Sequence, residues 1–296
     1  MRKSLILFAI ILLPLFARDA LSQGSHGTVT ESLSVESKIL GKRVRYSIYL
    51  PYDYATSARN YPVVYLLHGY TDSDMAWIQF GEANLIADEA IADRTVPPMI
   101  IVMPDAGVSW YINNYDNSVK YEDFFIKEFI PHIETTFRAR RDKQYRAVAG
   151  LSMGGYGALV YTLRHPDMFA SCVAFSAAIF TDEEIMGVTD DVWARIDSVL
   201  YGPGLKGKER LTEHYKSYNP IHLVRGAGTE KLKNLRLYID CGDDDFLYKG
   251  NATFHILLRD MKIPHEYRAR DGGYTWSYWR SGLIDGLKFI GDGFHR

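Results

Sequence analysis

Little in this chain speaks for nucleic acid, a disulfide scaffold or a metal. Its 34 Lys and Arg stand against 36 Asp and Glu, a net charge of -2 with a pI near 6.5, so it has no basic field to attract a phosphate backbone and no nucleic-acid partner is expected. Only two cysteines occur, Cys172 and Cys241, which excludes a disulfide framework. Both fall on expected strands, 171–175 and 235–241, and neighbouring parallel strands seldom offer relaxed disulfide geometry. Two buried thiols acting as small apolar side chains are expected instead. No grouping of His, Cys, Asp and Glu has metal-ligand spacing, so no metal and no cofactor is expected. Internal repeats and low-complexity tracts are missing as well.

No apolar run is long enough to cross a bilayer. Leu5 to Phe16 is apolar, but Arg18 and Asp19 follow it, and a span needs roughly 20 residues. With Arg2 and Lys3 before it and Ala20-Leu21-Ser22 after it, residues 1–22 read as a signal peptide and the mature chain starts near Gln23. No cysteine near that junction offers a lipid anchor. Export to the periplasm or beyond, with no stable membrane insertion after cleavage, is the expectation; the sequence says nothing of oligomeric state.

What the chain has in quantity is aromatic side chains: 21 Tyr, 14 Phe and 5 Trp. They suit an aromatic core or a site that handles rings. Residues 23–296 fall near the upper size for one hydrophobic core, and a single domain is expected. Residues 34–40 and 43–50 read as an antiparallel pair around Gly41-Lys42. Residues 62–67, 99–103, 145–149, 171–175, 235–240 and 265–269 read as short buried strands. Helical patterns lie between most of them, at 83–92, 121–137, 153–164, 246–261 and 276–290. Such alternation predicts an α/β fold with a mainly parallel sheet and helices on both faces. A long interruption, residues 177–234, is either a cap that shapes a cleft over the strand ends or a solvated connection.

Chemistry in such a sheet belongs at the C-terminal ends of the strands. There the sequence places Gly150-Leu151-Ser152-Met153-Gly154, a G-x-S-x-G pentapeptide between a strand and a helix. This is the context of a nucleophile elbow, with Ser152 as the nucleophile. After the strand ending at Leu67 comes His68-Gly69-Tyr70-Thr71, so the amides of Tyr70 and Met153 are the expected oxyanion donors. After the strand ending at Asp240 comes Cys241-Gly242-Asp243-Asp244-Asp245. Asp245 is the expected triad acid and Asp244 the second choice; the remaining aspartates suit the N-terminus of the next helix. Trp110, Tyr111, Trp276 and His68 are expected around the substrate, with the His68 ring bracing the oxyanion turn rather than reaching Ser152 as a base.

These segments, with Tyr61-Pro62-Val63-Val64-Tyr65-Leu66-Leu67-His68-Gly69, Ser109-Trp110-Tyr111, Tyr121-Glu122-Asp123-Phe124 and the extended elbow Gly150 to Leu159, resemble the esterase D family of α/β-hydrolases. That family includes S-formylglutathione hydrolases, the feruloyl and acetylxylan esterases of carbohydrate esterase family 1, and related mycolyltransferases. The resemblance runs across nearly all of the mature chain. It implies an α/β-hydrolase fold, serine ester hydrolysis and a small-molecule or polysaccharide ester as substrate; an exported member suits a carbohydrate-linked or small feruloyl or acetyl ester better than a cytosolic thiol ester.

One motif departs from the family. Its base histidine lies in a Gly-Gly-His-Thr/Asp-Trp-x-x-Trp segment, and here that stretch is Gly272-Gly273-Tyr274-Thr275-Trp276-Ser277-Tyr278-Trp279. Tyr274 occupies the histidine's place. A phenol with a pKa near 10 is almost wholly protonated at neutral pH and is a poor acceptor for the serine proton. Three functions therefore stay open: an ester hydrolase, a catalytically silent relative that binds a carbohydrate or acyl ligand, and an acyltransferase.

Overall fold

The computed structural model describes residues 26–294; the expected signal peptide and His295 lie outside them. Eight strands form one sheet in the order β1-β2-β4-β3-β5-β6-β7-β8. They are β1 (Thr28–Ser37), β2 (Lys42–Leu50), β3 (Val63–Leu67), β4 (Ile100–Pro104), β5 (Arg146–Leu151), β6 (Ser171–Phe175), β7 (Arg236–Asp240) and β8 (Glu266–Arg268). β1 and β2 pair antiparallel, β2 lies antiparallel to β4, and every pairing from β4 through β8 is parallel.

The central strands are short apolar runs because helices cover both faces. Every residue of β3, β4, β5 and β6 is buried. One core packs the sheet against Tyr121–Phe124, Met153–Arg164 and Tyr248–Asp260, through Phe124, Val160 and Phe254. The other packs it against Ala83–Ala92 and Trp276–Phe294, through Ala87, Leu283 and Leu287. Cys172 and Cys241 are free and buried, and burial pushes the Cys172 thiol up to about 12. Among the described residues, no helix is long and apolar enough to cross a membrane.

Two local readings needed correction. β1 begins at Thr28, well before the expected 34, and its early residues are mostly exposed; an edge strand with so little to bury leaves no apolar alternation to read. The helix expected at 121–137 forms as Tyr121–Phe124, a π turn over Phe125–Phe129 and Ile130–Thr136. The π bond, Ile130 N–H to the Phe125 carbonyl, falls just before Pro131, which has no N–H for the next turn.

Residues 177–234 are a chain of short helices, including Asp182–Gly187, Trp193–Asp197, Ser198–Tyr201, Glu213–Tyr218 and Pro220–Ala227. Arg210, only 1% exposed, ties several together: its guanidinium donates to the carbonyls of Leu205 and Val188 and to the Asp190 carboxylate. Of the two readings of this segment, the cap holds, because its residues wall the cavity beside Ser152.

Candidate active site

Ser152 follows β5 directly and opens the Met153–Arg164 helix with φ 54° and ψ -118°, backbone that an L-residue avoids unless its surroundings enforce it. Its N–H donates to the Phe175 carbonyl at 2.9 Å, and its own carbonyl accepts from Tyr156 and Ala178 at 2.9 and 3.1 Å. The flanking glycines permit the turn. A Cβ on Gly150 would sit 2.5 Å from the Gly154 backbone, and one on Gly154 would sit 2.4 Å from the Leu67 carbonyl oxygen. Strand, turn and helix therefore touch backbone to backbone.

Met153 is the first residue of its helix, so its N–H has no intrahelical acceptor. Tyr70 lies in the turn after β3. Among the described residues, neither amide donates to a protein acceptor. The turn is braced from behind by His68, whose Nδ1 bonds the Gly69 carbonyl at 2.7 Å while Nε2 accepts from the Ala106 N–H at 2.9 Å. Those partners set the tautomer. Burial lowers the pKa of the ring, which keeps it neutral.

Tyr274 reaches Ser152: its hydroxyl donates to Ser152 Oγ. The ring is held against Phe246 and Trp279, with centroids 4.8 and 4.7 Å away, and Trp279 is anchored by its indole N–H to Ser176 Oγ at 2.9 Å. Burial raises the phenol's pKa above the usual value; the Ser152 bond opposes that rise, and Asp245 and Asp72 add to it. Phenolate is thus scarcer here than in water, and Tyr274 is a proton donor to Ser152. The loop carrying it is tied to β7 by Arg270, whose Nε donates to Asp240 Oδ2 at 3.0 Å, and by the Tyr278 hydroxyl, which donates to Asp240 Oδ1.

Of the three consecutive aspartates, Asp245 is 1% exposed, whereas Asp243 and Asp244 are exposed. The helix-capping role expected for those two does not hold: the next helix starts at Tyr248 with Leu247 as its N-cap and no side-chain cap. Asp243 instead accepts from the Gly272 N–H at 3.0 Å, fixing the loop that carries Tyr274. Asp245 Oδ1 accepts from the Leu247 N–H at 2.8 Å. Its Oδ2 is buried and accepts no hydrogen bond. Beside it, the Cys241 thiol, a weak donor, is held protonated by burial and by the Asp245 charge. A buried carboxylate oxygen lacking a full-strength donor is rare in folded proteins. A histidine at position 274 would bring an N–H to this neighbourhood, and a phenol brings its single proton to Ser152 instead.

Ser152, Tyr274, Tyr70 and Trp110 line a cavity of about 320 Å³, completed by Phe180, Val188 and Ile196 of the cap and by Phe246 and Leu247. Trp110 and Tyr111 both have positive φ, 55° and 63°, which turns their side chains to different places. Trp110 faces the cavity, while Tyr111 is fully buried, donates to the His68 carbonyl at 3.1 Å and packs on Gly157. Two expected substrate contacts, Tyr111 and Trp276, are therefore corrected. His68, 1% exposed, and Tyr111 stand behind the wall. Trp276 packs edge-on to Trp77 at 5.3 Å and against Phe80, outside the cavity lining.

No described histidine lines the cavity. His255 and His265 bond each other at 2.8 Å, and His132, His165 and His222 pair with Tyr46, Glu122 and Asp182. Sequence reasoning offered the cap but missed which of its residues line the cavity, although Ile185, Val188, Val192 and Ile196 lie at helical spacing and such a stripe marks a buried face. It also missed Asp197, which lies in the same wall.

A serine on a strained strand–helix turn, above a mainly parallel sheet with a buried aspartate after β7, defines an α/β-hydrolase fold. The Esterase family model matches residues 37–290. The chain belongs to that family, in its esterase D and carbohydrate esterase family 1 branch. It is 32% identical over 260 residues to an esterase of Mycobacterium tuberculosis, covering 81% of this chain and 54% of the relative; the chain thus spans about half the length of that relative. An acetyl esterase of Caldicellulosiruptor saccharolyticus is 26% identical over 263 residues, covering 86% and 95% of the two chains. A solved ferulic acid esterase superposes with a TM-score of 0.78 at 34% identity, covering 91% of this chain and 99% of that one.

Proposed function

We propose that this chain is an exported serine carboxylic-ester hydrolase for a carbohydrate-linked or small ester of the feruloyl or acetyl type, slowed far below a complete triad by Tyr274. The observation that carries the reading is Ser152 on its strained elbow in the wall of an apolar cavity. Ser152 Oγ attacks the ester carbonyl carbon and gives up its proton to water, the Tyr70 and Met153 amides stabilise the oxyanion, collapse breaks the ester C–O bond and releases the alcohol with a proton from water, and a second water hydrolyses the acyl-Ser152; Asp245 is the acid left without its histidine. Donors and binding alone leave an acceleration on the order of a thousandfold over water. The acetyl esterase and ferulic acid esterase relatives support the substrate class. A second reading, a silent relative that binds an acyl or carbohydrate ligand, is favoured by one contact: the Tyr274 hydroxyl directs its proton at the oxygen that must attack.

The test compares the mature protein, Tyr274→His and Ser152→Ala on a short-chain aryl ester and a methyl hydroxycinnamate. Slow, Ser152-dependent turnover that Tyr274→His raises by several orders of magnitude is expected. Rapid natural turnover to which Tyr274→His adds nothing would overturn the missing-base account. No turnover, with thermal stabilisation by a feruloyl sugar, would select the binding reading.

A further inference from the structure

The cap is apolar where it walls the cavity, through Phe180, Ile185, Val188, Val192 and Ile196, and then breaks its own pattern with Asp197. Ester hydrolysis at Ser152 does not use this acid. Asp197 is 9% exposed, and among the described residues no donor hydrogen-bonds its carboxyl. Buried carboxylates are normally paired or hydrogen-bonded, because an isolated one in apolar surroundings is costly.

The groups that face it are already committed. Arg210 attracts Asp197 from a distance, but its nitrogens donate to Leu205, Val188 and Asp190. Tyr201 senses the Asp197 charge, yet its hydroxyl pairs with Tyr156 at 3.2 Å. Burial accordingly pushes the Asp197 acid up to about 6 despite Arg210. The local backbone is unusual too: a π turn over Trp193–Asp197 is closed by the Ser198 N–H on the Trp193 carbonyl, and consecutive residues Ile196 and Asp197 both line the wall. Such turns recur at functional sites.

We propose that Asp197 is a specificity-determining residue whose carboxyl accepts a hydrogen bond from a hydroxyl on the aryl end of the acyl group that Ser152 would attack. The inference rests on the acyl-ester reading of the cavity. A space of about 320 Å³ holds roughly ten water volumes, so an acetyl group leaves most of it wet, whereas a hydroxyaryl acyl group of about a dozen heavy atoms fills it. The aliphatic walls accept the ring faces, and the hydroxyl answers the unpaired acid. An aryl acyl group without that hydroxyl buries Asp197 unpaired, which is the stronger kind of discrimination.

Calorimetric titration of the mature protein with methyl 4-hydroxycinnamate and with methyl cinnamate tests this, in a Ser152→Ala background so that neither ester is consumed. The hydroxylated ester binds about tenfold tighter or more, as expected for a hydrogen bond to a charged group. Asp197→Leu brings the two affinities together, and Asp197→Asn, whose amide oxygen still accepts, keeps part of the preference. Equal affinities in the parent, or an unchanged preference in Asp197→Leu, would remove Asp197 from recognition and leave the acyl cavity standing. If neither ester binds the parent, the acyl-ester reading falls and this inference with it.

Discussion

The Tyr274 hydroxyl donates a hydrogen bond to Ser152 Oγ, so in the proposed reaction position 274 offers a proton where nucleophilic attack requires one to be taken away. Asp245 waits behind it with an unfilled oxygen. This arrangement predicts that Asp245 matters to turnover only when a histidine is present. In a Tyr274→His background, Asp245→Asn lowers kcat/KM on an aryl ester by about a hundredfold or more. In the natural protein the same change has little effect. A four-protein cycle measures the coupling, and equal losses in both backgrounds would separate Asp245 from position 274.

Turnover should differ in its pH dependence as well. A base acts only when deprotonated, so kcat of Tyr274→His rises with pH through the imidazole range near 6.5. The natural protein lacks that limb: burial raises the phenol of Tyr274 and lowers His68, which is locked to backbone on both sides. Initial rates from pH 5 to 8 show the difference, and a matching limb in the natural protein would point to a base elsewhere.

Gly154→Ala tests the elbow's packing independently of chemistry. The added methyl group would lie 2.4 Å from the Leu67 oxygen and 2.7 Å from that of His68, both of them backbone. Overpacking against backbone costs on the order of 3 kcal/mol. Denaturant unfolding should show a lower midpoint with an unchanged slope.

Two buried acids give stability opposite pH dependences. Asp197 keeps its proton in the fold up to about pH 6, against 3.8 for the free side chain. The fold therefore holds this stability below pH 4 and loses it as pH rises through 6. Asp197→Asn should gain up to about 3 kcal/mol over the natural protein at pH 7.5 and nothing at pH 3.5. Glu122 behaves the other way. Burial opposes its ionisation, but hydrogen bonds from His165, Arg164 and Tyr218 prevail and hold it at about 2, below its usual 4.5. Its contribution is full above pH 4.5 and disappears as pH falls through 2, so Glu122→Gln should be destabilised at pH 7 and converge with the natural protein in acid. Thermal unfolding across pH 2 to 8 reads both.

The parts of the fold that bury a regular pattern were legible in the sequence. β3 to β7 are short apolar runs, and the pentapeptide around Ser152 has the glycines that backbone contact requires. Among the three consecutive aspartates the sequence choice fell on Asp245, the one that the fold buries. Positions set by tertiary packing were not legible. Nothing local distinguishes Trp110, which faces the cavity, from Tyr111, which turns inward to hold the His68 carbonyl. The Trp276 ring packs against Trp77 and Phe80, two side chains far away in sequence. Asp197 sits in a segment of broken short helices, where charge reads as solvent exposure until the fold buries it.

The unfilled oxygen of Asp245 has an evolutionary consequence. Tyrosine and histidine codons differ by a single nucleotide in the first position, and the residues around position 274 retain the acid, the elbow and the braced turn. A histidine at 274 would stand where the Tyr274 ring now meets Ser152 and senses the Asp245 charge. A gene for this chain thus stands one transition from encoding serine, histidine and aspartate at positions 152, 274 and 245, and the rate of the proposed hydrolysis lies open to change in a single mutational step.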